Sequence, residues 1–130
     1  MQTALNILGI PCWHGLLLFS SVRDCDLWIE ALDAKFAGKG ERYNRADWDR
    51  LLGNYSAVAD VPTVCFAEDL IEAYPEAKVV LVERDIEKWY KIFNNAVISA
   101  VYNPMVFWLS KVDKRYIGLM RRMTFRWING

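Results

Sequence analysis

AYPEAKVVLVERDIEKWY, residues 73–90, decides how the rest of the chain is read. Tyr74-Pro75-Glu76 ends one element, because proline lacks a backbone donor and fixes φ. Residues 77–82 (AKVVLV) are a continuously apolar, β-branched run of the kind buried on both faces in a parallel sheet, and a strand is expected there. Asp85 is placed to cap a helix over residues 85–101, in which Ile86, Trp89, Tyr90, Phe93, Val97 and Val101 recur at helical spacing. Arg84 sits at the junction of strand and helix.

Working outward, residues 57–60 (AVAD) form a second short strand, and Val61-Pro62 turns the chain into a helix over residues 63–74. Residues 10–14 are a third strand candidate, ended by Gly15. Met1, Ala4, Leu5 and Leu8 share one helical face that stops at Gly9, and such a helix reads as joined to something upstream of it. Cys25, Trp28, Ile29, Leu32 and Phe36 mark a helix over residues 23–36, broken by Gly38-Lys39-Gly40. Residues 47–52 make a further short helix. After Asn103-Pro104, residues 105–127 read as one more helix, whose Arg121, Arg122 and Arg126 are expected on a solvated face. Strands alternating with helices point to one α/β domain with a mostly parallel sheet.

The chain has 130 residues, 54% of them apolar, with six Trp, six Tyr and six Phe. That supplies a core and argues against intrinsic disorder. Sixteen Lys and Arg balance sixteen Asp and Glu, so the electrostatic pull of a nucleic-acid binder is missing. Cys12, Cys25 and Cys65 are too scattered for a disulfide framework or a metal knuckle. Free buried thiols in a reducing compartment follow, and with a single histidine no metal site is expected. No run reaches the roughly 18–20 apolar residues that cross a bilayer. The N-terminus lacks the features of a secretory signal, which leaves a cytoplasmic location as the expectation.

Ligands of open α/β sheets bind beyond the carboxyl ends of the strands, which singles out His14, Asp60 and Arg84. The guanidinium fork of Arg84, next to free helix N–H groups, suits a phosphate or sulfate; the alternative is a salt bridge with Asp60, Glu83 or Asp85. Asp60 is a candidate base or merely a helix cap. His14 suits proton transfer near neutral pH, or is a packed edge histidine. The sequence contains no GxGxxG, GxxxxGK[ST], HExxH or GxSxG motif.

MQTALNILGIPCWHG from Met1, WIEALDAKF from Trp28, ADWDRLLGNYSAVADVP from Ala46 and AYPEAKVVLVERDIEKWY from Ala73 together resemble the fungal-type sulfotransferase-like family, over nearly all of residues 1–105. Members are often labelled NAD-dependent epimerases, a label that gains nothing from a chain without the dinucleotide fingerprint. The resemblance implies a P-loop nucleoside triphosphate hydrolase fold. For residues 1–130 it implies an incomplete three-layer domain, a small mostly parallel sheet flanked by helices. It further implies transfer of a sulfuryl group from 3′-phosphoadenosine 5′-phosphosulfate to a hydroxyl or amine of a small-molecule acceptor.

In that family a loop of the type GxGRTGTxS, between the first strand and first helix, cradles the phosphosulfate. Residue 1 falls just after the serine of that loop, so the strand, the loop and the later C-terminal helices are expected to be missing. The family holds the 3′-phosphate with a strand-end arginine and a serine eight positions on. Arg84 matches the first, and Ile92 stands in place of the second, which removes a contact worth about 1.5–3 kcal/mol when charge-assisted.

Two readings follow. In a longer active protein Arg84 binds the 3′-phosphate and Asp60 or His14 deprotonates the acceptor. Alternatively the chain is a non-catalytic remnant or interaction module, with an exposed sheet edge through which it forms a homo-oligomer. A third option is contact of residues 105–127 with a membrane surface, where apolar and basic residues mix.

Overall fold

A computed structural model describes residues 1–129. Helix α1 (Gln2–Ile7) leads through Gly9, which at φ 75° takes a left-handed turn, into strand β1 (Cys12–His14). A 3₁₀ turn (Gly15–Ser20) then feeds the long helix α2 (Val22–Phe36), where the Ser21 side chain accepts the Asp24 N–H at 3.2 Å. Helix α3 (Arg45–Leu52) begins with a reciprocal cap between Asn44 and Asp47. Strand β2 (Ala57–Ala59), a 3₁₀ turn (Thr63–Phe66) and helix α4 (Ala67–Ala73) complete this half. The Val61–Pro62 peptide is cis.

β1 and β2 run parallel, with Cys12, Trp13 and His14 opposite Ala57, Val58 and Ala59. They form a two-stranded sheet with helices against it, a mixed helix-rich α/β arrangement. Trp13, Trp28, Trp48 and Phe66 are the nucleus of the core; Trp28 lies 5.0 Å from Trp13 and 5.7 Å from Phe66 between ring centroids. Cys12 and Cys25 are buried free thiols, and burial together with Asp24 and Asp26 pushes Cys25 up to about 11. Cys65 is half-buried and also free.

Asp69 is only 6% exposed, yet it is charged by design of its surroundings. Burial pushes its carboxyl upward, and hydrogen bonds from Lys35 Nζ at 2.5 Å and Arg42 Nε at 2.6 Å outweigh that and hold it below the usual carboxylate range.

Beyond Pro75 the expectation of a third strand fails. Residues 77–85 have no regular secondary structure and pair with neither β1 nor β2. Val79, Val80, Leu81 and Val82 are 62–83% exposed. A strand needs a neighbour to satisfy its backbone, and residues 77–82 take up the edge of neither β1 nor β2. On β1, the Asn6 and Gln2 side chains of α1 already bond the N–H and C=O of Cys12, at 3.0 and 3.4 Å. Among the described residues β2 has no strand on its far side; Val58 shares the face of the fully buried Trp13 but is 41% exposed.

Helix α5 (Ile86–Phe93) does begin where expected, with Asp85 Oδ1 accepting the Lys88 N–H at 2.8 Å. It continues through a π-helical turn (Asn94–Ile98) into the short α6 (Ser99–Val101). The single helix expected over residues 105–127 is instead two, α7 (Pro104–Val112) and α8 (Ile117–Asn129). Asp113 breaks the run by bonding the Tyr116 N–H at 2.9 Å, and Gly118 lets α8 pass α7 where a Cβ would lie 2.9 Å from the Ser110 carbonyl. The basic cluster is only partly a solvated face. Arg126 pairs with Asp33 of α2 and Arg121 lies 5.0 Å over the Phe107 ring, while Arg122 is exposed.

Candidate functional site

The carboxyl ends of β1 and β2 bring two of the three expected residues together. His14 is the last residue of β1 and Asp60 follows β2; His14 Nδ1 lies 3.2 Å from Asp60 Oδ2, with both side chains part-exposed. Parallel strands in register deliver this pairing, since His14 is opposite Ala59, one residue before Asp60.

The corner is tightly built. Asp60 has φ 73°, a left-handed conformation uncommon for a residue with a Cβ though tolerated best by Asp and Asn. Its carbonyl accepts the Val64 N–H at 3.2 Å and the Thr63 hydroxyl. Gly15 is required where the strand ends converge: a Cβ there would stand 2.5 Å from the Val61 carbonyl oxygen and 2.7 Å from Asp60 Oδ2. The sequence flagged Gly15 only as a strand terminator; its steric role depends on a segment 45 residues away and has no local signature.

Two partners meet at His14 Nδ1, the Leu16 N–H at 3.3 Å and the Asp60 carboxylate. The Leu16 amide favours an unprotonated Nδ1, and Asp60 favours a protonated one. Nε2 has no hydrogen-bond partner among the described residues. In the tautomer that accepts the Leu16 N–H, Nε2 carries the proton; with the proton on Nδ1, toward Asp60, the Nε2 lone pair is free to accept one.

Arg84 is not brought into this arrangement. It falls in the segment that joins no strand, is exposed, and forms no ion pair or side-chain hydrogen bond among the described residues, so the alternative salt bridge with Asp60, Glu83 or Asp85 is not made. Ile92 is an exposed apolar residue on α5.

The left-handed glycines Gly9, Gly38 and Gly40 do not follow a strand. No group of three or more His, Cys, Asp and Glu side chains suited to a metal ion occurs among the described residues. Likewise none of the described helices is long and apolar enough to cross a membrane. The Asp69–Lys35–Arg42 cluster escaped the sequence reading because its members are 27 and 34 residues apart.

With this geometry in view, comparison with known proteins identifies relatives. A sequence profile described as a sulfotransferase domain matches residues 1–130. "Ava biosynthesis cluster protein M" of Aspergillus versicolor is 37% identical over 101 residues, 78% of this chain and 39% of that protein. The chain therefore spans about two fifths of the length of the curated relative it matches.

Proposed function

We propose, for a chain that belongs to the sulfotransferase domain family, that it carries the acceptor side of a sulfuryl-transfer site, with His14 as general base and Asp60 beside it. The donor is 3′-phosphoadenosine 5′-phosphosulfate. His14 Nε2 takes the proton of the acceptor hydroxyl or amine as that atom bonds to sulfur. The bond from sulfur to the bridging phosphate oxygen breaks, and adenosine 3′,5′-bisphosphate leaves with the electron pair. Arg84 contacts the 3′-phosphate of the donor.

The observation that carries this reading is the His14–Asp60 contact at the carboxyl ends of two parallel strands, where α/β sheets place their ligands. The phosphosulfate needs a cradle of backbone N–H groups, and the sequence contains no GxGRTGTxS loop; sulfuryl transfer, like phosphoryl transfer, depends on such positioning and charge stabilisation. The reading therefore places the GxGRTGTxS loop and its strand in polypeptide outside these residues, next to the open side of β2. The exposure of Val58 and of residues 79–82 supports that placement.

A second reading, a non-catalytic remnant of the same domain, is favoured by one observation: Ile92 cannot donate to a phosphate. Titration calorimetry with adenosine 3′,5′-bisphosphate separates the two. Binding that weakens roughly ten- to hundredfold in Arg84→Ala supports the donor contact. Absence of binding, or binding indifferent to Arg84→Ala, overturns it. For the loop, an in-frame GxGRTGT stretch in the coding sequence upstream of Met1 is the expected finding, and stop codons in its place count against it.

A further inference from the structure

Helix α7 is turned inside out. Met105, Trp108, Leu109 and Val112 stand at i, i+3, i+4 and i+7, the spacing that normally aims apolar side chains at a core. Here they are 41–71% exposed, and the buried residue of the helix is Ser110, whose hydroxyl bonds the Phe107 carbonyl at 2.6 Å. A stripe of this size facing solvent marks a contact surface.

Charge identifies its occupant. The chain is neutral overall, but residues 94–130 hold six Lys and Arg against a single acidic residue, Asp113. The carboxylate of Asp113 is occupied in bonding the Tyr116 amide. Arg126 is committed to Asp33 and Arg121 lies over the Phe107 ring. Of the other four, Lys111 flanks the stripe with its Nζ 5.1 Å from the same ring, Lys114 and Arg115 lie just past its end, Arg122 is on α8, and all four are exposed. Two copies of this face meeting each other would bring like charges together, which disfavours a second copy of the chain. The stripe is also the convex ridge of a helix, carrying a Trp side chain, and a soft surface accommodates a ridge without a matching groove.

We propose that α7 is an interfacial anchor that lies in the headgroup region of an anionic lipid surface, with Met105, Trp108, Leu109 and Val112 in the acyl boundary and Lys111, Lys114 and Arg115 at the phosphates. Trp108 suits that depth, since an indole favours the boundary between apolar and wet regions. The anchor lies on the membrane and does not span it, and it is independent of the His14–Asp60 site.

Sedimentation of the whole chain with phosphatidylcholine vesicles, with and without phosphatidylserine, tests this directly. The expected result is binding to the phosphatidylserine vesicles that salt weakens, with a blue shift in Trp emission that Trp108→Phe reduces. Lys114→Glu with Arg115→Glu lowers the affinity about tenfold or more. Trp108→Ser with Leu109→Ser does the same through lost apolar insertion, about tenfold. Leu81→Ser removes a still more exposed apolar side chain elsewhere and leaves binding unchanged, and circular dichroism confirms that each variant folds. Failure to bind anionic vesicles overturns the proposal, whether the chain then forms a dimer or binds an acidic protein instead. So does equal binding to phosphatidylcholine alone, or equal loss in Leu81→Ser.

Discussion

Residues 11–75 and residues 77–112 both carry strand-like and helix-like apolar patterns, and only the first region closes a core around them. Three tryptophans, Phe66 and the leucines of α2 and α3 are buried in the first; in the second, Val101 is the one hydrophobic side chain buried among the described residues. An amphipathic pattern is permission to bury, and burial itself needs a second surface. β1, α2 and β2 supply one another with that surface within a single βαβ unit. The run at residues 77–82 has the composition of a core strand and lies beside no strand among the described residues.

This contrast can be broken by measurement. Trp28→Ala, at the centre of the aromatic cluster, is expected to cost about 3–5 kcal/mol in denaturant unfolding, enough to remove most of the stability of a domain this size. A small loss there would mean that the two regions are equally loose. Gly15→Ala is expected to cost about 2 kcal/mol, because the colliding atom is the Val61 backbone oxygen rather than a movable side chain. The same change should push Asp60 away from His14, and the imidazole shifts in NMR report it.

Asp69→Asn comes next, at about 1–2 kcal/mol, since Lys35 and Arg42 retain access to water after losing the charge. The associated pH dependence has a definite sign. A carboxyl whose folded pKa is lowered gives stability that is complete above the unfolded value, about 4, and that disappears as pH falls through the folded value. Thermal melts taken downward from pH 5 should show that loss, and Asp69→Asn should lack this part of it. The smallest effect belongs to the second region: Leu81→Ser is expected within about 0.5 kcal/mol of the parent. Amides of residues 78–84 should exchange with deuterium without protection, and slow exchange there would reveal a strand partner in solution.

Much of the local architecture was legible from residue patterns alone. The periodicity around Trp28 located α2, Asp85 located the start of α5, and the short apolar run at residues 57–60 located β2, which ends at Ala59, one residue before Asp60. What failed was non-local. Propensity marks residues 77–82 as able to pair, but whether a neighbour exists is decided elsewhere in the chain. The split between α7 and α8 did have a signal, since Asp113 can cap a new turn and Gly118 permits a close crossing. At the candidate site, strand-end logic found His14 and Asp60, and the structure joins them; Arg84 shared the same logic and stands apart because its strand did not form.

The left-handed backbone at Asp60 makes this carboxylate unusually easy to interrogate. Most substitutions of an acid confuse the loss of charge with a disturbance of shape, but glycine is at home at φ 73°, so Asp60→Gly deletes the carboxyl group and relaxes the main chain at once. A protein that became sturdier and chemically idle through that one exchange would reveal a residue retained for reactivity at the expense of robustness.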